Sequence, residues 1–253
     1  DQTWYEPLSR IAILPKVRDG FLQACGVSLE HRDAVFQTIG DPAWATVEQL
    51  DVFYWNSALP RRLLEDPVMR SLHAIHGARL DPMWATEVPW LRCINILHFG
   101  PDWSRMFDAG PPNLERVETT QIYDRPGDFR WVWTTPLFRR LREFTVHTGN
   151  SNLRAWHAAM RGDACAHLEA IELGCYRFER RAGELSHLVV TLPRSSREKP
   201  TGKVVAEALA MLPPKCVTTV RIAGRSLDKK QRKELVTALG NQALEAFDAH
   251  EKT

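Results

Sequence analysis

One short phrase, Leu-x-x-φ-x-φ with φ mostly apolar, recurs nine times along this chain and constrains its fold more than any other feature. Its openers are Leu50, Leu72, Leu91, Leu114, Leu141, Leu168, Leu185, Val217 and Leu244. Neighbouring openers lie between 17 and 32 residues apart. A unit of this length cannot bury its apolar face alone and needs neighbouring copies stacked against it. The repeat predicts an extended binding surface rather than a catalytic pocket.

The spacing of the phrase also selects the sheet topology. The 19 residues from Leu72 to Leu91 hold one short strand and about a dozen further residues, the minimum for a crossover between parallel strands. Long helices on both faces of a sheet do not fit into such an interval. We therefore expect an α/β solenoid, with a concave parallel β-sheet and with helices and turns on the convex side.

Residues 1–46 lack the phrase and are interpreted as a helical N-terminal cap, which leaves residues 47–253 for the solenoid. Apolar residues such as Leu8, Ile11 and Leu22 suggest a first helix. A second helix is predicted from Ser28, whose hydroxyl can cap free backbone amides, to Ile39 before Gly40. A terminal solenoid unit has one apolar face without a neighbouring repeat, so an atypical capping segment is expected there.

A longer motif, Asp-Pro-x-Trp-Ala-Thr, supports duplication. It begins at Asp41 and again at Asp81, each time shortly before a phrase. The offset of 40 residues corresponds to about two repeat units. We expect Trp44 and Trp84 to fill equivalent gaps between the helix and strand layers.

Phrases such as 91–96 (Leu-Arg-Cys-Ile-Asn-Ile) and 168–173 (Leu-Glu-Ala-Ile-Glu-Leu) resemble the strand segment of leucine-rich repeats. Residues 226–247 are similar to the long-helix repeats of the ribonuclease-inhibitor type, and the irregular spacing resembles divergent bacterial members of the superfamily. The sequence departs from that pattern at the sixth phrase position, which is Gly77 in one unit. The resemblance implies recognition of a protein partner through the concave face.

Strand alternation indicates which residues would face that partner. If phrase positions one, four and six are buried, positions three, five, seven and eight face the concavity. Glu118, Glu143 and Glu172 then make an acidic centre that suits a basic protein segment. The candidates on this face are Tyr54, His76, Asn95, His98, Arg116, Glu118, Glu143, Thr145 and Glu172. The alternative is that the face is polar because it meets water.

A second candidate surface is the aromatic stretch 129–133. Trp131 and Trp133 would share one face of an extended segment. Tryptophan is prominent among the residues that dominate interface energies, and it is equally a core residue. Both interpretations, interface and core, stay open from the sequence.

The charge balance argues against nucleic-acid and membrane partners. The chain has 33 basic and 31 acidic residues, a net charge of +2, and it contains no apolar run of the ~18 residues that a membrane span needs. Its five cysteines are odd in number and lack Cys-x-x-Cys spacing. That pattern favours a reducing compartment, here the cytoplasm, over a disulfide framework or a zinc cluster.

Catalytic motifs are not evident. Residues 23–26 partly match a caspase signature, yet only 24 residues precede Cys25, and the partner histidine of caspases lies further upstream. Cys25 is therefore interpreted as a buried helical thiol. No catalytic residue, metal or cofactor is predicted, and the chain is interpreted as a non-enzymatic, cytoplasmic, bacterial scaffold that binds a protein as part of a larger chain or complex. The alternative is the recognition part of an enzyme or toxin-like effector whose catalytic domain lies outside this chain.

Overall fold

The computed structural model describes residues 5–53, 61–78, 88–99, 107–108, 110–122, 130–147, 160, 163–174, 176–181, 184–191, 219–223, 229–230, 233, 236–237 and 243–244. The chain divides into two compact units. Unit 1 comprises Asp1–Asp124 and Thr135–Leu141, and unit 2 comprises Arg125–Thr134 and Arg142–Thr253.

The described residues of unit 1 form six strands: β1 (Ile13–Arg18), β2 (Phe21–Ser28), β3 (Gln49–Phe53), β4 (Ala74–Ala78), β5 (Cys93–Phe99) and β6 (Arg116–Ile122). β1 and β2 form an antiparallel hairpin, and from β2 to β6 each strand pairs in parallel with the next one along the chain. Its helical segments are short: α1 (Arg32–Gln37), α2 (Arg61–Glu65) and 3-10 turns at Glu6–Leu8, Leu29–His31, Pro42–Thr46, Pro67–Ser71 and Phe138–Arg140.

Unit 2 contains α3 (Arg130–Thr134), a 3-10 turn at Asp163–Cys165, and the strands β7 (Glu143–Val146), β8 (Ala170–Leu173), β9 (Tyr176–Arg181), β10 (Glu184–Thr191), β11 (Thr219–Ala223) and β12 (Ala243–Leu244). The pairs β7–β8, β10–β11 and β11–β12 are parallel, whereas β9 is antiparallel to both β8 and β10. The described chain is therefore mixed α/β, with mostly parallel strands and few helices, and the expected class is confirmed at that level.

Cross-strand register shows which phrase positions are buried. The pairing aligns Leu50, Ile75, Ile94 and Val117, the fourth positions of their phrases. The first positions are then Val47, Leu72, Leu91 and Leu114, and all are at most 1% exposed. Burial of both positions explains why the phrase recurs, since each strand removes its apolar side from water only against its neighbours.

This register corrects two predicted phrases. The first opens at Val47 rather than Leu50, because apolar residues three apart, Val47, Leu50 and Phe53, let the pattern start at either of two places. Val52 is consequently buried, not on the polar face. The last phrase is shifted in the same way, because Leu244 pairs with Val220, a fourth-position residue.

The N-terminal helical cap is wrong over residues 13–28, which form the β1–β2 hairpin. Asp19 and Gly20 form its two-residue turn, both with positive φ, and Asp-Gly is a strong hairpin signal. β2 itself carries the phrase, with Cys25 paired to Leu50. Cys25 is therefore a buried strand thiol and not a helical one. The second predicted helix is confirmed only in part, as α1 and the preceding 3-10 turn.

The Asp-Pro lead-in caps a 3-10 turn before its strand. Asp41 Oδ1 accepts a hydrogen bond from the Ala43 amide at 2.8 Å, and Trp44 is fully buried, as predicted. An unforeseen copy begins at Asp66, whose Oδ1 accepts from the Val68 amide at 2.9 Å. In this copy Met69 is buried at the position equivalent to Trp44. The copy therefore does not match a motif that requires Trp. Trp84 lies outside the described residues.

We expect Leu168→Ala to lower the free energy of unfolding by about 2–5 kcal/mol, because it leaves a cavity at a fully buried first position. Urea denaturation measures the change. Leu14→Ala removes the same atoms at a site that is 79% exposed and is the matched control. Equal unfolding midpoints for the two variants would contradict the buried-ladder assignment.

Gly77 forms a β-bulge: Ile75 pairs with Ile94 and Ala78 with Ile96, so His76 and Gly77 together oppose Asn95. Its φ is +75°, and an added Cβ would lie 2.6 Å from the Val52 carbonyl oxygen. The sixth-position glycine that departs from the repeat is thus required by the backbone.

Gly77→Ala should therefore destabilise unit 1 by more than the roughly 1–3 kcal/mol expected of left-handed strain alone. Gly20→Ala isolates the strain, since Gly20 has φ +84° and open space around its Cα. Thermal melts of the two variants test the difference. Equal losses would show that the Val52 carbonyl moves away at no cost.

Candidate functional site

Phrase positions three and five lie on the opposite side of each strand from the buried positions. In unit 1 they form a polar face made of Gln49, Asp51, Ala74, His76, Cys93, Asn95, Arg116 and Glu118. In unit 2 the corresponding face consists of Glu143, Thr145, Ala170, Glu172, Arg177 and Glu179. Each face brings together residues far apart in sequence because neighbouring strands lie about 5 Å apart.

A histidine cluster occupies one part of the unit 1 face, formed by Gln49, Asp51, His76 and Cys93. His76 Nδ1 lies 3.2 Å from Asp51 Oδ1, and Gln49 Nε2 donates to the same carboxylate oxygen at 3.0 Å. The other ring nitrogen, Nε2, lies 3.9 Å from Cys93 Sγ. His76 is thus held between a carboxylate and a thiol, and all three side chains are only partly buried.

A second cluster on the same face surrounds Glu118. Its Oε2 accepts a hydrogen bond from Asn95 Nδ2 at 2.9 Å, and its Oε1 pairs with the Arg116 guanidinium. Glu118 is only 9% exposed. Its charge is therefore compensated within the protein, which corrects the expectation that this glutamate offers a free acidic group to a partner.

The unit 2 face contains an arginine cluster, formed by Glu143, Glu172, Arg177 and Glu179. Arg177 reaches Glu179 Oε1 at 2.8 Å, Glu143 Oε2 at 3.4 Å and Glu172 Oε2 at 3.5 Å. Burial alone would lower the pKa of Arg177, but the hydrogen bond to Glu179 and the three carboxylate charges raise it above its usual value. The guanidinium stays charged while it shares three anionic partners.

The predicted site residues divide into three groups. His76, Asn95, Arg116, Glu118, Glu143 and Glu172 lie on the polar faces as expected. Thr145 is on the unit 2 face but only 1% exposed, so it offers no surface to a partner. Tyr54 lies outside the described residues. His98 pairs with Gln121 in β5–β6, but its side chain is not described.

The aromatic candidates Trp131 and Trp133 lie in α3 rather than in an extended segment. Trp133 is half-buried, and the side chain of Trp131 lies outside the described part of the molecule. Helical spacing puts residues two apart on different sides of the helix. The shared face expected of the pair is therefore wrong.

Arg177 and Glu179 were missed from the sequence because β9 is an insertion that breaks the parallel repeat. The signal was available in the alternation of 176–179, where Tyr176 and Phe178 are buried and the charged residues lie between them. Period-two alternation is typical of a half-buried strand. Asp51 was missed because the first phrase was placed three residues too late.

Two cysteines, Cys25 and Cys165, are buried, and their thiols are expected to be unreactive. Desolvation by burial raises the pKa of Cys165 to about 12, and burial together with the nearby Asp51 charge does the same for Cys25. Cys25, Cys93 and Cys165 all carry free thiols. Cys93 differs from the other two because it lies on the polar face and contacts His76.

The raised pKa of Cys165 predicts a dependence of stability on pH. Above its ordinary value of 9.0 the thiol ionises only in the unfolded chain, so folding stability falls with rising pH until the folded thiol also ionises near 12. Cys165→Ala has no thiol at this position, so its free energy of unfolding does not fall in this way. The difference in free energy of unfolding between wild type and Cys165→Ala should therefore decrease by about 1.4 kcal/mol for each pH unit above 9.0. Urea denaturation in reductant at about pH 8 and about pH 10 measures it. Parallel pH curves would contradict the assignment.

Two further kinds of site are absent from the described residues. They contain no group of three His, Cys, Asp or Glu side chains arranged to hold a metal ion. None of their helices is long and apolar enough to cross a membrane.

Comparison with known proteins assigns no family. No protein-family model matches the chain, and no curated protein matches it significantly. The function must therefore be inferred from the chemistry of the two polar faces.

Proposed function

We propose that this chain is a leucine-rich-repeat-type solenoid that recognises a protein partner carrying a basic segment. Support for the repeat architecture comes from consecutive parallel strands that bury the same phrase positions in β3 to β6. Support for a cytoplasmic location comes from the free thiols of Cys25, Cys93 and Cys165, since unpaired cysteines are typical of reducing compartments.

The arginine cluster is the observation that carries the proposed specificity. It contains three carboxylates and one guanidinium, so its net charge is −2 (three negative charges, one positive). Its side chains are 27–33% exposed, which makes their charges available to a partner while Arg177 holds them in place. A lysine or arginine docking beside Arg177 would offset part of this negative charge.

The same charge argues against a phosphate-bearing partner, because a cluster of three carboxylates around one guanidinium repels a nucleic-acid backbone. The unit 1 clusters are more nearly balanced: Glu118 is paired with Arg116, and Asp51 with His76. We therefore assign charge selection to the unit 2 face.

A direct test uses two short labelled peptides, one in which lysine alternates with serine and one in which glutamate alternates with serine. Fluorescence anisotropy at low salt should show binding of the lysine peptide and none of the glutamate peptide. Glu143→Gln combined with Glu172→Gln should weaken binding of the lysine peptide by roughly tenfold, because it removes two of the three carboxylates. Added salt should also weaken binding of this peptide to wild type.

The matched control is Glu115→Gln combined with Glu169→Gln. It changes the net charge by the same amount at second phrase positions, off the polar faces. Binding should stay close to wild type in this variant. Equal weakening in both double variants would mean that bulk charge alone attracts the peptide and would overturn the assigned site, as would equal binding of the lysine and glutamate peptides.

A further inference from the structure

We propose that Cys93, His76 and Asp51 form a nucleophilic thiol site that accepts an acyl group from an ester or thioester. The three residues belong to three consecutive strands, β5, β4 and β3, and meet on the unit 1 polar face. This activity does not depend on the proposed recognition of a basic segment, which uses other residues in unit 2.

The order of contacts is that of a thiol, a general base and an orienting carboxylate. Asp51 faces Nδ1 of the imidazole at 3.2 Å, and Cys93 faces Nε2 at 3.9 Å. A carboxylate beside Nδ1 favours the proton on that nitrogen, which leaves Nε2 free to accept a proton from the thiol. The sulfur–nitrogen contact is a long one, as is common in nucleophile–base pairs without bound substrate.

Gln49 holds the Asp51 carboxylate beside the ring. Its Nε2 lies 3.0 Å from Asp51 Oδ1 and 3.2 Å from His76 Nδ1. With Nδ1 protonated, both the ring and the Gln49 amide donate to the carboxylate, which is the stronger acceptor because it is charged. Asp51 is accordingly a positioning residue, and Gln49 fixes the carboxylate in turn.

The bulge at Gly77 supports the site independently. It breaks the one-to-one register of β4 and β5 beside His76, and the ring reaches Cys93 diagonally across the strand pair. Bulges are frequent next to functional sites, where they re-aim a side chain. A repeat that only needed to stack would have no use for a glycine with φ +75° at this position.

Cys93 lies between a small residue and a charged one. In strand register it pairs with Ala74 of β4 and with Arg116 of β6. The Arg116 guanidinium pairs with Glu118, so His76 is the group assigned to activate the thiol. Cys25 and Cys165 differ from Cys93 because both are buried.

The proposed reaction consumes the ester or thioester and one molecule of water. His76 Nε2 takes the thiol proton, and the sulfur lone pair attacks the carbonyl carbon. The carbon–oxygen or carbon–sulfur bond to the leaving group then breaks, and the leaving group takes the proton from His76. Water adds to the resulting thioester with His76 accepting its proton. The carbon–sulfur bond then breaks, His76 returns the proton to the Cys93 sulfur, and the acid is released.

The first test is alkylation by iodoacetamide under native conditions, followed for each cysteine by peptide mass spectrometry. Cys93 should react at least about tenfold faster in wild type than in His76→Gln. His73→Gln is the matched control, since His73 lies three residues earlier, is exposed, and its ring contacts the Ser71 carbonyl oxygen rather than the thiol. It should leave the rate unchanged.

Cys25 and Cys165 report on folding in the same spectra, because they react only when the chain opens. Asp51→Asn should slow Cys93 and also change the shape of its rate profile between about pH 5 and 9, which loss of packing alone would not do. Equal Cys93 rates in wild type and His76→Gln, with Cys25 and Cys165 still protected, would overturn the proposal.

The second test incubates the protein with p-nitrophenyl acetate and follows release of p-nitrophenol. An acetyl group should appear on the Cys93 peptide in wild type, with a burst of product that is absent in Cys93→Ser and at least about tenfold smaller in His76→Gln. Acetylation of surface lysines without modification of Cys93 would overturn the acyl-transfer step, whatever the result of the peptide-binding experiment.

Discussion

The ladder of buried aliphatic side chains at the first and fourth phrase positions is the interaction on which the other features depend. Leu72, Ile75 and their counterparts in neighbouring strands are excluded from water, and each contributes roughly 1.5–3 kcal/mol on burial. No single strand can obtain that energy alone, so the strands must stand side by side in a shared register. Once that register is set, alternation fixes positions three and five on the other side of the sheet, where every polar cluster described above is formed.

That dependence explains what the sequence could and could not predict. The recurring phrase predicted the parallel α/β arrangement and the face on which Asn95 and Glu118 lie, because both follow from periodicity. The phrase did not predict the contacts of Asp51, His76 and Cys93. These contacts join residues 25 and 17 positions apart (51 to 76, 76 to 93) through lateral strand pairing. A motif search compares residues that are close in sequence, whereas pairing between strands brings together residues that are far apart in sequence.

The number of acidic residues on these faces does not by itself determine the electrostatic field at the surface. Glu118 is held by an arginine and an amide, so it contributes little field at the surface. In the arginine cluster, one guanidinium pairs with three carboxylates. The inserted strand β9 therefore supplies the cation that holds these glutamates together. Removing Arg177 would leave like charges without the guanidinium that they share, at a cost that rises with their burial.

Gly77 joins the stability of the sheet to its chemistry. An apolar side chain at the sixth position would extend the buried ladder. Glycine at this position buries no side chain, and it has a backbone conformation that other residues rarely adopt. Local departures of this kind, when the surrounding structure holds them in place, are found chiefly where a side chain must be aimed. The side chain beside this one is His76, whose ring nitrogens face a carboxylate and a thiol. A purely structural repeat gains nothing from that loss of burial, whereas a nucleophilic site gains the position of its base.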